Sequence, residues 1–264
     1  MKTKPEKINK SAERVIDLLL LLSGSDKALT LNNICEMMQI PKSSAFELVQ
    51  TLIYKGIVEV KDPINKTYGL SILAFEIGSA VVSNLSVVDI AKPFIQELNR
   101  KTGSTVFLGM EDKGKIVYLD KAESHSVMRP TAKLGSARHL HTTGLGKALL
   151  AAFPDRKIAQ LLGSEPYPTK TPLSKTNLTD VLSDANLTRQ NGYSIDDRED
   201  NLEMYCIGTA IYNHTNLPIA SCSVASLYSG MTEEKEQIIA KLVTQTAMQI
   251  SRKLGFTGHK PYLL

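Results

Sequence analysis

Cysteine is scarce in this chain: Cys35, Cys206 and Cys222 are the only three among 264 residues. The odd count and irregular spacing exclude a disulfide-stapled scaffold and suit a reducing, cytoplasmic setting. No Cys-x-x-Cys or His-x-x-x-His pair is present, so no metal-ligand spacing stands out. Strong charge of either sign is also missing. The balance of 31 Lys+Arg against 27 Asp+Glu leaves +4 overall, and residues 1–80 carry 10 basic and 9 acidic side chains. A broad basic footprint for nucleic acid is therefore absent. The small excess sits at the start, where Lys2, Lys4, Lys7, Lys10 and Arg14 outnumber Glu6 and Glu13. That stretch reads as a basic arm for phosphates or as an ordinary soluble tail. Long apolar runs are missing too. Residues 15–22 are too short to span a bilayer and include Asp17, and no signal-peptide pattern precedes them. They read as a buried helix, with no membrane partner. No internal repeat appears.

What is present is organisation. The length fits two domains, and 42% hydrophobic residues suffice for real cores. Asn9 or Ser11 caps a first helix that ends at Ser23-Gly24-Ser25. Thr30 caps a short helix with Leu31, Ile34, Cys35 and Met38 on one face. After Gln39-Ile40-Pro41, a second helix runs from Lys42 to Lys55 and stops at Gly56. Its positions 45, 48, 49, 52 and 53 form an apolar stripe, while Lys42, Ser43, Ser44, Glu47 and Gln50 face elsewhere. Residues 57–61 and 66–70 alternate like strands about the turn Asp62-Pro63-Ile64-Asn65. Helix, turn, polar-tipped helix and hairpin in that order predict a winged helix-turn-helix, with Ser43, Ser44, Glu47 and Gln50 at base edges. Lys42, Lys61 and Lys66 are the candidates for phosphate. The same elements also occur in winged helices that dock protein, and that reading stays open.

Residues 72–82 are apolar on most sides and predict a connecting helix that packs on a second domain or a second chain. A helix over 87–102, with Pro93 near its first turn, ends at Gly103. Residues 105–110 and 116–120 predict a hairpin. Helices follow over 144–153, 155–162 and 178–189, with a Pro/Thr/Ser-rich loop at 163–176. Residues 206–212 and 217–225 predict two central strands, and a last helix runs from Thr232 to Leu254, its Glu233 and Glu234 complementing the helix dipole. The pattern is α+β, helices outside a mainly antiparallel sheet. The predicted domains are 1–71, a linker helix at 72–86, and 87–258.

Several stretches resemble one family over nearly the whole length. They are Ser11-Ala12-Glu13-Arg14-Val15-Ile16-Asp17-Leu18-Leu19, Ile40-Pro41-Lys42-Ser43-Ser44, Tyr68-Gly69-Leu70, and Leu140-His141-Thr142-Thr143-Gly144-Leu145-Gly146-Lys147-Ala148-Leu149-Leu150-Ala151. A late signature joins Gly192, Asp196, Glu199, Cys206-Ile207-Gly208 and Ile211-Tyr212-Asn213. Together they resemble transcription regulators of the isocitrate-lyase-regulator (IclR) type. The resemblance implies a winged domain that binds double-stranded operator DNA as a homodimer or homotetramer, often as a repressor of a catabolic operon. It also implies a GAF-like C-terminal domain that holds a small metabolite, often a carboxylate or aromatic acid, and no cofactor. Effector occupancy is expected to act on the winged domains through the connecting helix. Two positions depart from the family pattern: Glu47, where a basic residue is common, and Ser71, where Gly is usual. A carboxylate at 47 cannot pair with phosphate but can accept from a cytosine amino group.

Carried over by position, the resemblance puts the effector pocket at Val127, Pro130, Arg138, Gly144, Leu145, Asp196, Cys206, Ser223 and Ala225. The residue chemistry agrees. Thr143-Gly144-Leu145-Gly146 leads into a helix whose free N–H groups suit a carboxylate, and Ser223, Cys206, Leu145 and Val127 offer a hydroxyl and soft walls. Arg138, or Arg129 beside it, matches an anion bidentately. No second acidic or aromatic specificity handle is expected there. The bland alternative is that the glycines only allow close packing. The rival class is an enzyme: His139 and His141 at i, i+2, with His125, Asp196 or Cys206, as a metal or thiol centre. The generic spacing and the lack of an orienting third residue disfavour it, so no catalytic or metal residue is assigned.

Overall fold

The computed structural model describes residues 8–83, 86–260 and 262, and for 79–83 and 86 only the backbone. Lys2, Lys4, Glu6 and Lys7 of the basic arm lie outside the described residues, as do the side chains at the end of the connecting helix. The chain divides into two compact units, Met1–Asn84 and Leu85–Leu264.

In the first unit, helix α1 (Lys10–Gly24) is capped by Asn9, whose side chain accepts from the N–H groups of Ser11 and Ala12. Helix α2 (Leu31–Met38) starts with a reciprocal cap. The Thr30 hydroxyl accepts from the Asn33 N–H at 3.3 Å, and Asn33 Oδ1 accepts from the Thr30 N–H at 3.1 Å. It stops at Gln39, which takes a left-handed conformation with φ 55°. Helix α3 (Lys42–Tyr54) follows Pro41. Leu18, Ile34, Ala45, Val49 and Leu52 close the core, so the apolar stripe on α3 faces inward. The wing is β2 (Val58–Asp62) against β3 (Thr67–Leu70). Asp62 stiffens its turn by accepting from the N–H groups of Ile64 and Asn65. A two-residue strand, β1 (Leu29–Thr30), adds to the outer edge of β3; at two residues it carries no periodicity to read. Ser71 anchors the start of α4 (Ile72–Ser83): its hydroxyl donates to Gly56 O and accepts from the Leu73 N–H. Ile72, Phe75 and Ile77 of that helix are exposed within this unit.

The second unit opens with α5 (Ser86–Thr102). Pro93 sits in its interior rather than near its first turn, which removes one backbone bond from the helix. Six antiparallel strands follow: β4 (Thr105–Asp112), β5 (Lys115–Ala122), β6 (Ala137–His139), β7 (Ser194–Asp197), β8 (Met204–Tyr212) and β9 (Pro218–Leu227). Their order in the sheet is β6-β5-β4-β9-β8-β7. Lys113 and Gly114 both have positive φ, as a tight β4–β5 hairpin turn requires. Short β6 and β7 lie at the two edges and are too brief for an alternation to show in sequence.

Both faces of the sheet are covered, which is why its central strands read as nearly continuous apolar runs. Val106, Leu108, Ile207, Ile211 and Val224 pack with Ile95 and Leu98 of α5 and with Val243, Ala247 and Ile250 of α9 (Glu233–Lys253). Phe107, Ile116, Ala210 and Ala225 pack on the other face against α6 (Gly144–Ala151), together with Val181 and Ala185 of α8 (Leu178–Asn191). α7 (Asp155–Leu162) completes that layer. The result is the expected α+β organisation.

On the α6 side the two central strands carry small residues. Cys206, Gly208 and Ala210 of β8 lie opposite Ala225, Ser223 and Ser221 of β9. The first turn of α6 sinks into this depression. A Cβ built on Gly208 would stand 2.5 Å from the carbonyl oxygen of Gly144, and one on Gly144 would stand 2.9 Å from the Cβ of Cys206. Two serine hydroxyls fix the approach: Ser194 donates to Gly144 O at 2.7 Å, and Ser221 donates to Leu145 O at 2.9 Å.

Gly208→Ala is expected to destabilise the second unit by roughly 1–3 kcal/mol, the usual cost of forcing extra volume into a closed core. Gly24→Ala, with nothing within 4 Å of its added Cβ, is the control and is expected to be neutral or stabilising. Urea unfolding of the two variants measures both.

Candidate functional site

A cavity of about 120 Å³ lies between the α6 N-terminus, the sheet and the loops beside them. That is room for about four waters or a small organic molecule of similar bulk. Of the nine residues carried over by position, eight line it: Pro130, Arg138, Gly144, Leu145, Asp196, Cys206, Ser223 and Ala225. Val127 does not. It is 97% exposed in the loop that precedes Pro130 and lies outside the lining. Arg129 is outside too; its guanidinium reaches Glu123 at 3.5 Å and donates to Ser126 O.

The lining also holds residues that sequence reasoning missed, including Phe107, Tyr118, Asp200, Asn201 and Met204. The expectation of no second acidic or aromatic handle is thereby corrected: Phe107 and Tyr118 meet edge to face at 5.1 Å, and Asp200 supplies a second carboxylate. Phe107 lies opposite Ser223 in the β4–β9 pairing, so fixing that register would have exposed it. Nothing local in the sequence points to Asp200.

The electrostatics are layered. Asp196 is 1% exposed. Its Oδ1 accepts from the Glu199 N–H at 2.8 Å and from the Asp200 N–H at 3.4 Å. Burial, helped by the Glu199 and Asp200 charges, pushes its carboxyl up to about 7 against the pull of the Glu199 N–H and of Lys147. Burial and the neighbouring Asp196 push the Cys206 thiol well above its ordinary range, opposite to what a reactive thiolate needs. Arg138 is exposed at the rim, and the Asp200 carboxylate is held by the Thr142 hydroxyl at 3.0 Å.

Behind the cavity, Lys147 of α6 is buried and paired with Glu199 and with Asp184 of α8, the latter at 2.6 Å. Lys175 flanks both carboxylates at 3.6 Å. Burial opposes the charge on Lys147, but the two carboxylates outweigh it and raise its pKa. Thr171 and Ser174 donate to Glu199 O, tying down the 163–176 loop. The pairing of Lys147 with Glu199 spans 52 residues and was not legible in sequence.

His139 sits 2.8 Å from Lys115 Nζ, and His141 makes its hydrogen bond with Pro168 O. Among the described residues no group of three or more His, Cys, Asp or Glu side chains could hold a metal ion.

In the first unit, Lys42, Ser43, Glu47 and Gln50 are exposed on α3, and Ser44 is half-buried. Lys42, Gln50 and Lys66 line a groove of about 710 Å³ between α3 and the wing. Lys61 pairs with Glu59 at 2.5 Å, an exposed pair of small energy.

Comparison with known proteins follows the same division. Residues 11–62 match the IclR helix-turn-helix domain, and residues 79–252 match the bacterial transcriptional regulator IclR C-terminal family. The HTH-type transcriptional repressor AllR of Escherichia coli K12 is 28% identical over 247 residues, 94% of this chain and 91% of AllR. The crystal structure of the Thermotoga maritima IclR superposes with a TM-score of 0.79 at 28% identity, over 93% of this chain and 99% of that one. An IclR homolog from Microbacterium hydrocarbonoxydans, solved with 4-hydroxybenzoate, shares the fold at 17% identity. Its TM-score is 0.78, over 93% of this chain and 99% of that one. Among the described residues no helix is long and apolar enough to cross a membrane.

The Asp196 shift has a defined sign. With a folded-state value above the ordinary 3.8, protonation favours the folded chain. The contribution is fully present below about pH 4 and is lost as the pH rises through about 7. Asp196→Asn keeps an oxygen for the two N–H groups and cannot titrate. Over pH 4–8 the native chain is expected to lose roughly 2–4 kcal/mol relative to this variant. Chemical unfolding at several pH values checks it, and parallel curves for the two chains would remove Asp196 from the account.

Proposed function

The chain belongs to the IclR family of bacterial transcriptional regulators, and on that premise we propose that its cavity binds a small organic acid that controls operator binding by the winged unit. The observation that carries this reading is the joint lining of one cavity by Arg138, the α6 N-terminus, Asp196, Cys206 and Ser223. A carboxylate placed there meets the guanidinium at the rim and the free N–H groups at the start of α6. Asp196 would repel an anion if ionised. Held near half protonation at neutral pH, it instead offers a donor to the ligand. Phe107 and Tyr118 supply the flat apolar wall that suits an acid with a ring or a short chain. The 4-hydroxybenzoate in the M. hydrocarbonoxydans homolog is a ligand of this class.

The winged unit, residues 1–71, reads double-stranded DNA with α3 in the major groove. Ser43, Ser44, Glu47 and Gln50 are assigned to base edges, and Lys42, Lys61 and Lys66 to phosphates. Residues 72–86 connect it to the effector domain, 87–258. The exposed Ile72, Phe75 and Ile77 support assembly with a second copy, as a homodimer or homotetramer. A dimer would place two recognition helices on half-sites separated by multiples of ~34 Å. The similarity to AllR supports a repressor working in the cytoplasm, and the family reading supports a binding protein rather than an enzyme. Effector occupancy shifts operator affinity by no more than the ratio of its affinities for the two states.

Two measurements test this. With three or four lysines per half-site neutralising phosphates, a dimer is expected to give a log–log slope of operator affinity against salt of about −5 to −7. A slope near zero would move the winged unit to protein docking. Arg138→Ala is expected to weaken an anionic effector by about tenfold or more, as loss of a charge-assisted pair implies; unchanged affinity in calorimetry would remove Arg138 from the site.

A further inference from the structure

Phe46 is an aromatic side chain on the solvent side of the recognition helix. Its neighbour Ala45 is fully buried, whereas Phe46 is 50% exposed and is not part of the core of its unit. It faces the groove between α3 and the wing, across from Val60, which is itself 43% exposed. The same groove is lined by Lys42 and Lys66, by Gln50 and Asn65, and by no carboxylate. An apolar centre flanked by cations and amides fits a surface that is anionic at its edges and has an apolar point between them. The major groove of DNA has that character: phosphates line its rims, and its one apolar base-edge group is the C5-methyl of thymine.

We propose that Phe46 is a specificity-determining residue that packs its ring on the methyl group of one thymine in each operator half-site, with Lys42 and Lys66 on the adjacent phosphates. This rests on the DNA-binding reading above. It adds a preference that the polar candidates alone do not supply, since serine and glutamine are satisfied by several base edges. It also accounts for the cost of keeping an aromatic ring half in water on a surface otherwise polar, because the contact withdraws ring and methyl from solvent together. Phe46→Leu retains an apolar contact, whereas Phe46→Ala removes it.

The test uses the full chain. Binding sequences are first selected from a random duplex library. In the selected operator each thymine is then replaced singly by deoxyuridine, which deletes only the methyl group, and affinity is read by fluorescence anisotropy at fixed salt. For the native chain, one thymine per half-site is expected to be sensitive, losing about fourfold on replacement, the worth of roughly one buried methyl. Phe46→Ala is expected to bind the parent operator more weakly by a similar factor and to be indifferent to that replacement. Phe46→Leu is expected to recover part of the sensitivity, and the salt slope is expected to stay the same in all three chains. An enriched operator in which no thymine is sensitive would overturn the proposal while leaving the regulator reading intact. So would a Phe46→Ala chain that keeps the native sensitivity. Selection that enriches no sequence at all would overturn both. The native-chain scan decides the matter even if the alanine variant fails to fold.

Discussion

The effector domain depends on one steric constraint, the seating of α6 on the sheet at Gly144 and Gly208. A helix start cannot come this close to a strand where a Cβ stands in the way; here Gly208 leaves room for the Gly144 carbonyl, and Gly144 leaves room for Cys206. Ser194 and Ser221 donate to the first two helical carbonyls and so tie the start of α6 to β7 and β9. The row of small residues on β8 and β9 that admits the helix also stops short of filling the space beside it. The cavity is therefore a consequence of the packing and not a separate feature. Helix and strand residues form part of its lining, which suits recognition of a small ligand.

Charge is arranged around that seat in a way that links the cavity to the elements behind it. Glu199 contributes its backbone N–H to Asp196 and its carboxylate to Lys147. Lys147 lies on the helix whose N-terminus faces the cavity, and Asp184 brings in α8. Removing Lys147 leaves the Glu199 and Asp184 carboxylates with only the more distant Lys175, a larger penalty than losing a surface pair. A ligand that changes the protonation of Asp196 therefore acts on a residue already joined to α6, α8 and the 163–176 loop. This gives occupancy a physical route to a wider rearrangement, whose size is bounded by the ligand's preference between states.

Much of this was legible in the sequence where local chemistry decides structure. The caps at Asn9 and Thr30 and the Asp62 turn each have a residue type that satisfies specific backbone groups, and Pro41 gives α3 a start that loses no needed donor. The resemblance carried most of the cavity, because Gly144, Asp196 and Cys206 lie in recognisable stretches. What failed depended on long-range geometry. Val127 precedes Pro130 by three positions, yet the loop turns it to solvent while Pro130 is buried. β1 and β7 exist only because a neighbouring strand offers an edge. Phe107, Tyr118 and Asp200 reach the cavity through sheet register and loop path, which no short window of sequence contains.

The α6 cavity is where a small acid is proposed to act on operator binding. The most direct test compares the native chain with Ala225→Leu, which fills the cavity from near the C-terminal end of β9. Operator affinity is measured by anisotropy against a panel of small aliphatic and aromatic acids. At least one acid is expected to change the native affinity, and Ala225→Leu is expected to bind the operator normally but no longer to respond. A filled variant that responds to the same acid with unchanged potency would contradict this and place effector binding elsewhere.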